Sequence, residues 1–102
     1  MKVGIQNMKQ EHCIIRGDRS GVFFGKIGRR EGREVEIQEC RRLWYWAGAA
    51  SLSQLALEGV KRPGDCKFTV TVPSLTILDC IEMIPCSEEA ASNIKDVATW
   101  KR

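Results

Sequence analysis

Hydrophobic and polar positions alternate with the period of a strand over the first half of the chain and shift to the period of a helix after residue 50. HCIIR (12–16) is a short apolar run, and the GDRSG that follows it has turn chemistry. GVFFGKI (21–27) is aromatic and β-branched and predicts a second strand, with GRREGR (28–33) as the turn after it. In EVEIQEC (34–40) the alternation puts Val35, Ile37 and Glu39 on one side and Glu34, Glu36, Gln38 and Cys40 on the other. RRLWYW (41–46) continues extended or starts another strand after a bend.

SLSQLALEG (51–59) reads as a helix. Ser51 is its N-cap, and Gln54 three residues on completes a capping box. Leu52, Leu55 and Ala56 form its apolar face, and Gly59 supplies the positive φ that a helix C-terminus favours. KRPGD (61–65) is a loop. KFTVTV (67–72) predicts a strand with Phe68, Val70 and Val72 on one face, stopped by Pro73. LTILDCIEMI (75–84) is apolar on both sides, which suits a central strand ending at Pro85. Ser87 caps a last helix, EEAASNI (88–94), with an acidic first turn, and Val97 and Trp100 are expected to fold back onto the body. Six short strands and two short helices predict an α+β fold. Its core is a small bent antiparallel sheet or an SH3/Sm-like partial barrel. Residues 12–102 form the single domain, and residues 1–11 read as an N-terminal extension.

Composition adds limits. A length of 102 residues accommodates one domain. No apolar run approaches the ~18 residues that span a bilayer, and MKVGIQNMKQ lacks the apolar stretch of a signal peptide, so a cytoplasmic location is expected. Five cysteines (Cys13, Cys40, Cys66, Cys80 and Cys86) are an odd count without a CxxC pair. They read as reduced thiols, with Cys80 buried in its apolar run, and neither a disulfide framework nor a zinc site is expected.

Charge is uneven. Residues 1–62 carry a net +5 and residues 63–102 a net −2. Arg outnumbers Lys in the basic part, and Arg suits bidentate contact with phosphate or carboxylate. Arg29, Arg30 and Arg33 are interleaved with glutamates, which describes either a solvated hairpin or a protein-interaction surface over residues 26–42. Duplex DNA is not expected as a partner, since duplex binders present a stronger and less mixed positive field.

The candidate ligand-binding segment is RRLWYWAGAASLSQ (41–54). On an extended backbone Arg42, Trp44 and Trp46 share one face, and Arg41, Leu43 and Tyr45 share the other. Arg beside aromatic rings stacks a base and pairs a phosphate. Gly48 and its small neighbours allow close approach to backbone, and the helix start at Ser51 offers free N–H groups. The site is therefore read as Arg41, Arg42, Trp44, Tyr45, Trp46, Gly48 and Ser51. The plain alternative has Trp44 and Trp46 filling the core with Tyr45 at the surface. His12, the one histidine, reads as an exposed strand-end residue that forms no dyad with Cys13. Asp79 and Glu82 do not share a strand face, and Glu82 suits pairing with an arginine. No catalytic residues, metal or cofactor are expected, and the chain reads as a binding protein and not an enzyme.

The runs VFFGKI, GREVEI, RRLWYWAGAASLSQLALEGV, CKFTV and IEMIPCSEEAASNI, with the late Trp100, resemble a widespread family of small phage and prophage proteins that share a domain of unknown function. The WYW–GA–SLSQLA–EG block is the most specific part. The resemblance implies a phage-encoded protein in the cytoplasm of a bacterial host. It also implies an accessory factor that acts by binding, such as a counter-defence homo-oligomer that sequesters an anionic nucleotide-type signal. Other readings are an inhibitor that occludes a host protein, as anti-CRISPR proteins do, and a weak single-stranded RNA binder.

Overall fold

A computed structural model describes residues 11–101. Apart from Glu11, the extension read over residues 1–11 lies outside the described residues. The chain runs β1 (His12–Gly17), β2 (Val22–Glu31), β3 (Glu34–Tyr45), α1 (Leu52–Glu58), a 3-10 turn (Pro63–Asp65), β4 (Lys67–Phe68), β5 (Val72–Ile77), β6 (Cys80–Pro85) and α2 (Glu88–Asp96). All strand pairings are antiparallel, in the order β4-β3-β2-β1-β6, with β5 also on β3. The sheet is not closed, so the fold is α+β with an open, bent six-stranded sheet.

Two apolar clusters lie on opposite faces of this sheet. Alternate residues of β1 and β2 supply them: Ile14 and Phe24 to one, Ile15 and Phe23 to the other. The first cluster takes Leu43 and Phe68 and is covered by Leu55 and Ala56 of α1 and Ala91 and Ile94 of α2. The second joins Val35, Ile37 and Cys40 to Ile77 of β5 and Cys80 of β6. Strands from both ends of the sheet thus share one core, which requires the sheet to curl. Helix α1 forms as its sequence predicts. Ser51 Oγ accepts from Gln54 N at 3.1 Å, Gln54 Oε1 accepts from Ala50 N at 2.8 Å, and Gly59 closes the helix at φ 75°.

The structure decides one open alternative and corrects three sequence expectations. Residues 41–45 continue β3 without a break, whereas 75–84 divides at Leu78–Asp79 into two strands. The strand count survives because one merger offsets one division. Both products are edge strands, β5 pairing with β3 and β6 with β1, which is where Pro73 and Pro85 are tolerated. The strand expected over 67–72 stops at Phe68. Thr69 leaves the ladder, donating its N–H to Arg42 O, and Val70 is exposed. Finally, the alternation in 34–40 fails at Glu39. Lys26 pairs with Gln38 and Phe24 with Arg41, so one residue of β2 faces two of β3. Glu39 takes up the bulge in a left-handed conformation, φ 52°, and turns outward, while Cys40 enters the core in its place.

The β1–β2 turn is fastened to the β5–β6 turn by Asp79. Its carboxylate accepts from Ser20 Oγ at 2.6 Å, Arg19 N at 2.7 Å and Ser20 N at 2.9 Å. The Ser20 hydroxyl, then the Arg19 N–H, hold this carboxyl below its ordinary value of 3.8. The clasp therefore acts in full above that unfolded-chain value and is lost as pH falls through the lower folded one. Denaturant midpoints of wild type and Asp79→Ala will differ most near neutral pH and converge in strong acid. A gap that stays constant with pH contradicts this role.

Candidate functional site

The bulge at Glu39 decides what the Arg-Trp segment presents. Beyond it, Cys40 and Arg42 point toward the second core, and Arg41 and Leu43 toward the helices. Arg42 lies over the Phe23 ring, 4.5 Å from its centroid, and Nη1 donates to Ser20 O at 2.7 Å. Its Nε and Nη2 donate to no other described residue. Trp44 is 61% exposed. Tyr45 ends the strand and is also exposed, while Trp46 lies past it and packs against the helix-side core. Neither reading of the Trp pair holds for both residues: Trp44 is at the surface and Trp46 is partly core.

Arg42, Trp44 and Trp46 line an open cleft of about 570 Å³ together with Ser20 and Gly21. A second open cleft of about 600 Å³ shares Ser20 and Arg42 and is bordered by Arg19, Phe23 and Leu78. The Arg42 guanidinium thus stands between two concave surfaces.

Outside the cleft, Trp44 stacks on Trp100, with ring centroids 5.6 Å apart and planes 15° from parallel. The tail is laid there by backbone pairing. Thr99 bridges Phe68, and Trp100 N donates to Phe68 O at 2.8 Å. Lys67 Nζ lies 5.4 Å from the Trp44 ring centroid and 5.5 Å from that of Trp100. Among the described residues it makes no ion pair. Sequence reasoning expected Trp100 to fold back and had no signal for its partner or for Lys67, since both come from elements distant in the chain.

Four predicted site residues lie outside the cleft lining: Tyr45, exposed at the end of β3, and Arg41, Gly48 and Ser51. Arg41 is 3% exposed. Its guanidinium donates to Thr69 O at 2.8 Å, Ile94 O at 2.7 Å and Val97 O, pinning the end of α2 to the sheet. Gly48 meets the backbone of Lys61 and Arg62 and is absent from the cleft lining. Ser51 spends its hydroxyl on capping α1 and is likewise absent from the cleft.

In the alternative surface, Arg29 and Arg30 are exposed near the end of β2, which runs farther than expected. Arg33 pairs with Asp18 at 3.8 Å. Arg29 borders a small hollow of about 190 Å³ among Glu31, Glu34 and Glu36. Glu82 pairs with Arg16 at 4.0 Å.

His12 departs from its expected exposure. Its side chain is 10% exposed and stacks on Phe24 at 4.8 Å. Burial, then the Lys95 and Lys26 charges, lower its pKa from 6.5 against the opposing pull of Glu39. All five cysteines are free thiols. Burial pushes Cys40 up to about 11 and Cys86 up to about 12, so neither is ionised at neutral pH. Among the described residues no cluster of His, Cys, Asp or Glu is arranged to hold a metal ion, and no helix is long and apolar enough to cross a membrane.

Residues 10–94 match a domain of unknown function, DUF6948. The chain belongs to this family. The match includes Arg42, Trp44, Trp46 and Lys67 and stops short of Trp100. No curated protein and no solved structure matches the chain.

Proposed function

We propose that this DUF6948 protein is a binding protein, not an enzyme, and that it holds an anionic nucleotide-type ligand in the cleft of Arg42, Trp44 and Trp46. One observation carries the reading. A large aromatic ring, Trp44, stays mostly exposed at the rim of a cleft whose other wall presents a guanidinium with uncommitted donors. An exposed indole gives a base a stacking surface, and the Arg42 fork gives a phosphate two parallel donors. The setting is that of a phage-encoded factor in a bacterial cytoplasm that removes a nucleotide signal from host defence. The resemblance of the WYW–GA–SLSQLA–EG block supports that setting. Exposed Leu78 and Ile81 on the β5–β6 hairpin support action as a homo-oligomer.

Calorimetric titration with AMP, GMP and cyclic di-AMP tests the site. Arg42→Ala and Trp44→Ala will each weaken binding of the best of these by about tenfold or more, from loss of a charge-assisted bond or a stacked ring. Circular dichroism melting will remain cooperative in both. Binding that survives both substitutions, or no binding by any of the three, overturns the proposal.

A further inference from the structure

We infer that the occupant of this cleft is single-stranded nucleic acid, several nucleotides long, whose path continues from the cleft over the Trp44–Trp100 stack beside Lys67. The inference rests on the nucleotide-binding reading above and narrows its ligand class.

Trp44 belongs to two structures at once. It lines the cleft with Arg42, and it stacks on Trp100 outside the cleft. Stacking on the half-buried Trp100 leaves Trp44 61% exposed, so the pair presents the Trp44 ring at the surface. Lys67 stands over both rings with no carboxylate partner among the described residues. On the other side of the cleft, Arg19 borders the hollow that Arg42 shares. Cations therefore flank a single aromatic step on this face: Arg19 and Arg42 first, then Trp44 stacked with Trp100, then Lys67 beside both rings. A mononucleotide has one base and one phosphate group and would leave most of this series unused. A strand repeats base and phosphate, so it can lay a base on the rings and bring successive phosphates to the cations that flank them. The rings need unpaired bases, which excludes a duplex. A stacking platform with point cations carries little base-edge readout, so sequence preference will be weak.

Fluorescence anisotropy with labelled oligouridylates and oligothymidylates provides the test, using mononucleotide, tetranucleotide and octanucleotide probes on the full chain. The tetranucleotide will bind about tenfold or more tightly than the mononucleotide, as one additional stacked base requires. Trp100→Ala will remove about tenfold of tetranucleotide affinity and leave mononucleotide affinity unchanged, while Trp100→Phe retains a ring and most of the affinity. Lys67→Ala does not depend on tail packing. It will reduce the slope of log affinity against log salt by about 0.7, the value for one phosphate contact on a single strand. Uridylate bound tighter than thymidylate identifies RNA as the source, and the reverse identifies DNA; both support the inference. Equal affinity for mononucleotide and octanucleotide overturns it, as does wild-type oligonucleotide binding by both Lys67→Ala and Trp100→Ala. Failure of every probe, the mononucleotide included, overturns the nucleotide-binding reading as well.

Discussion

Replacing Arg41 with Met will lower the thermal midpoint by about 12–24 °C, the shift that a loss of about 3 kcal/mol produces in a domain of this size. The side chain is 3% exposed, and its donors reach four backbone carbonyls: Thr69, Ile94, Lys95 and Val97. Ile94 and Lys95 lie in the last turn of α2, where the final carbonyls have no partner within the helix and carry the negative end of its dipole. The guanidinium therefore satisfies acceptors that a buried helix end would otherwise leave bare. Each bare acceptor costs about 1–3 kcal/mol, so several together give about 3 kcal/mol or more. Arg41→Lys will recover only part, because an ammonium lacks the planar fork. Where Arg41→Met remains folded it will bind nucleotide as wild type does. Melting by circular dichroism checks the first statement. An unchanged midpoint combined with lost binding would place Arg41 at the ligand.

The second large effect is at Gly48. Its φ is +90°, which a side chain disfavours, and an added Cβ would lie 2.6 Å from Lys61 N and 2.8 Å from Arg62 N. Both neighbours are backbone atoms that side-chain rotation does not relieve. Backbone strain of about 1–3 kcal/mol, with displacement of the 61–62 segment added, gives a loss of about 2 kcal/mol or more for Gly48→Ala. A urea unfolding series will show the midpoint fall with little change in slope. A wild-type midpoint contradicts the close packing described for this turn.

These two residues show where sequence reasoning ends. Arg41, Arg42, Trp44, Gly48 and Ser51 all stand out locally as nucleotide-binding residue types. Only contacts with distant segments separate them. Arg41 is claimed by the end of α2, Gly48 by residues 61–62 and Ser51 by its own helix. Arg42 and Trp44 remain available. Features encoded within a few residues were legible: the Ser51–Gln54 cap, the turn at Gly59 and the strand character of β1 and β2. The bulge at Glu39 was not, because nothing in EVEIQEC announces a residue at φ 52°. Without the bulge, Cys40 faces outward on paper. The Leu78–Asp79 turn was hidden for a different reason. Leu78 looks like core but is 73% exposed, and Asp79 earns its place by accepting bonds from the β1–β2 turn. Of the site, the cleft wall was readable and the Trp100–Lys67 platform was not, since backbone pairing of the tail with β4 assembles it.

The three tryptophans of the chain allow a direct test of the proposed ligand site in the Arg42–Trp44–Trp46 cleft. Each indole N–H gives one resolved signal in a proton–nitrogen correlation spectrum, and a tetrauridylate titration can be followed on all of them. With the ligand in the cleft, Trp44 and Trp46 will shift together with backbone signals of Ser20, Gly21 and Arg42, while Arg29, Arg30 and Gly32 stay in place. Shifts confined to the β2–β3 hairpin, or indole signals that do not move at saturating oligonucleotide, would contradict that placement.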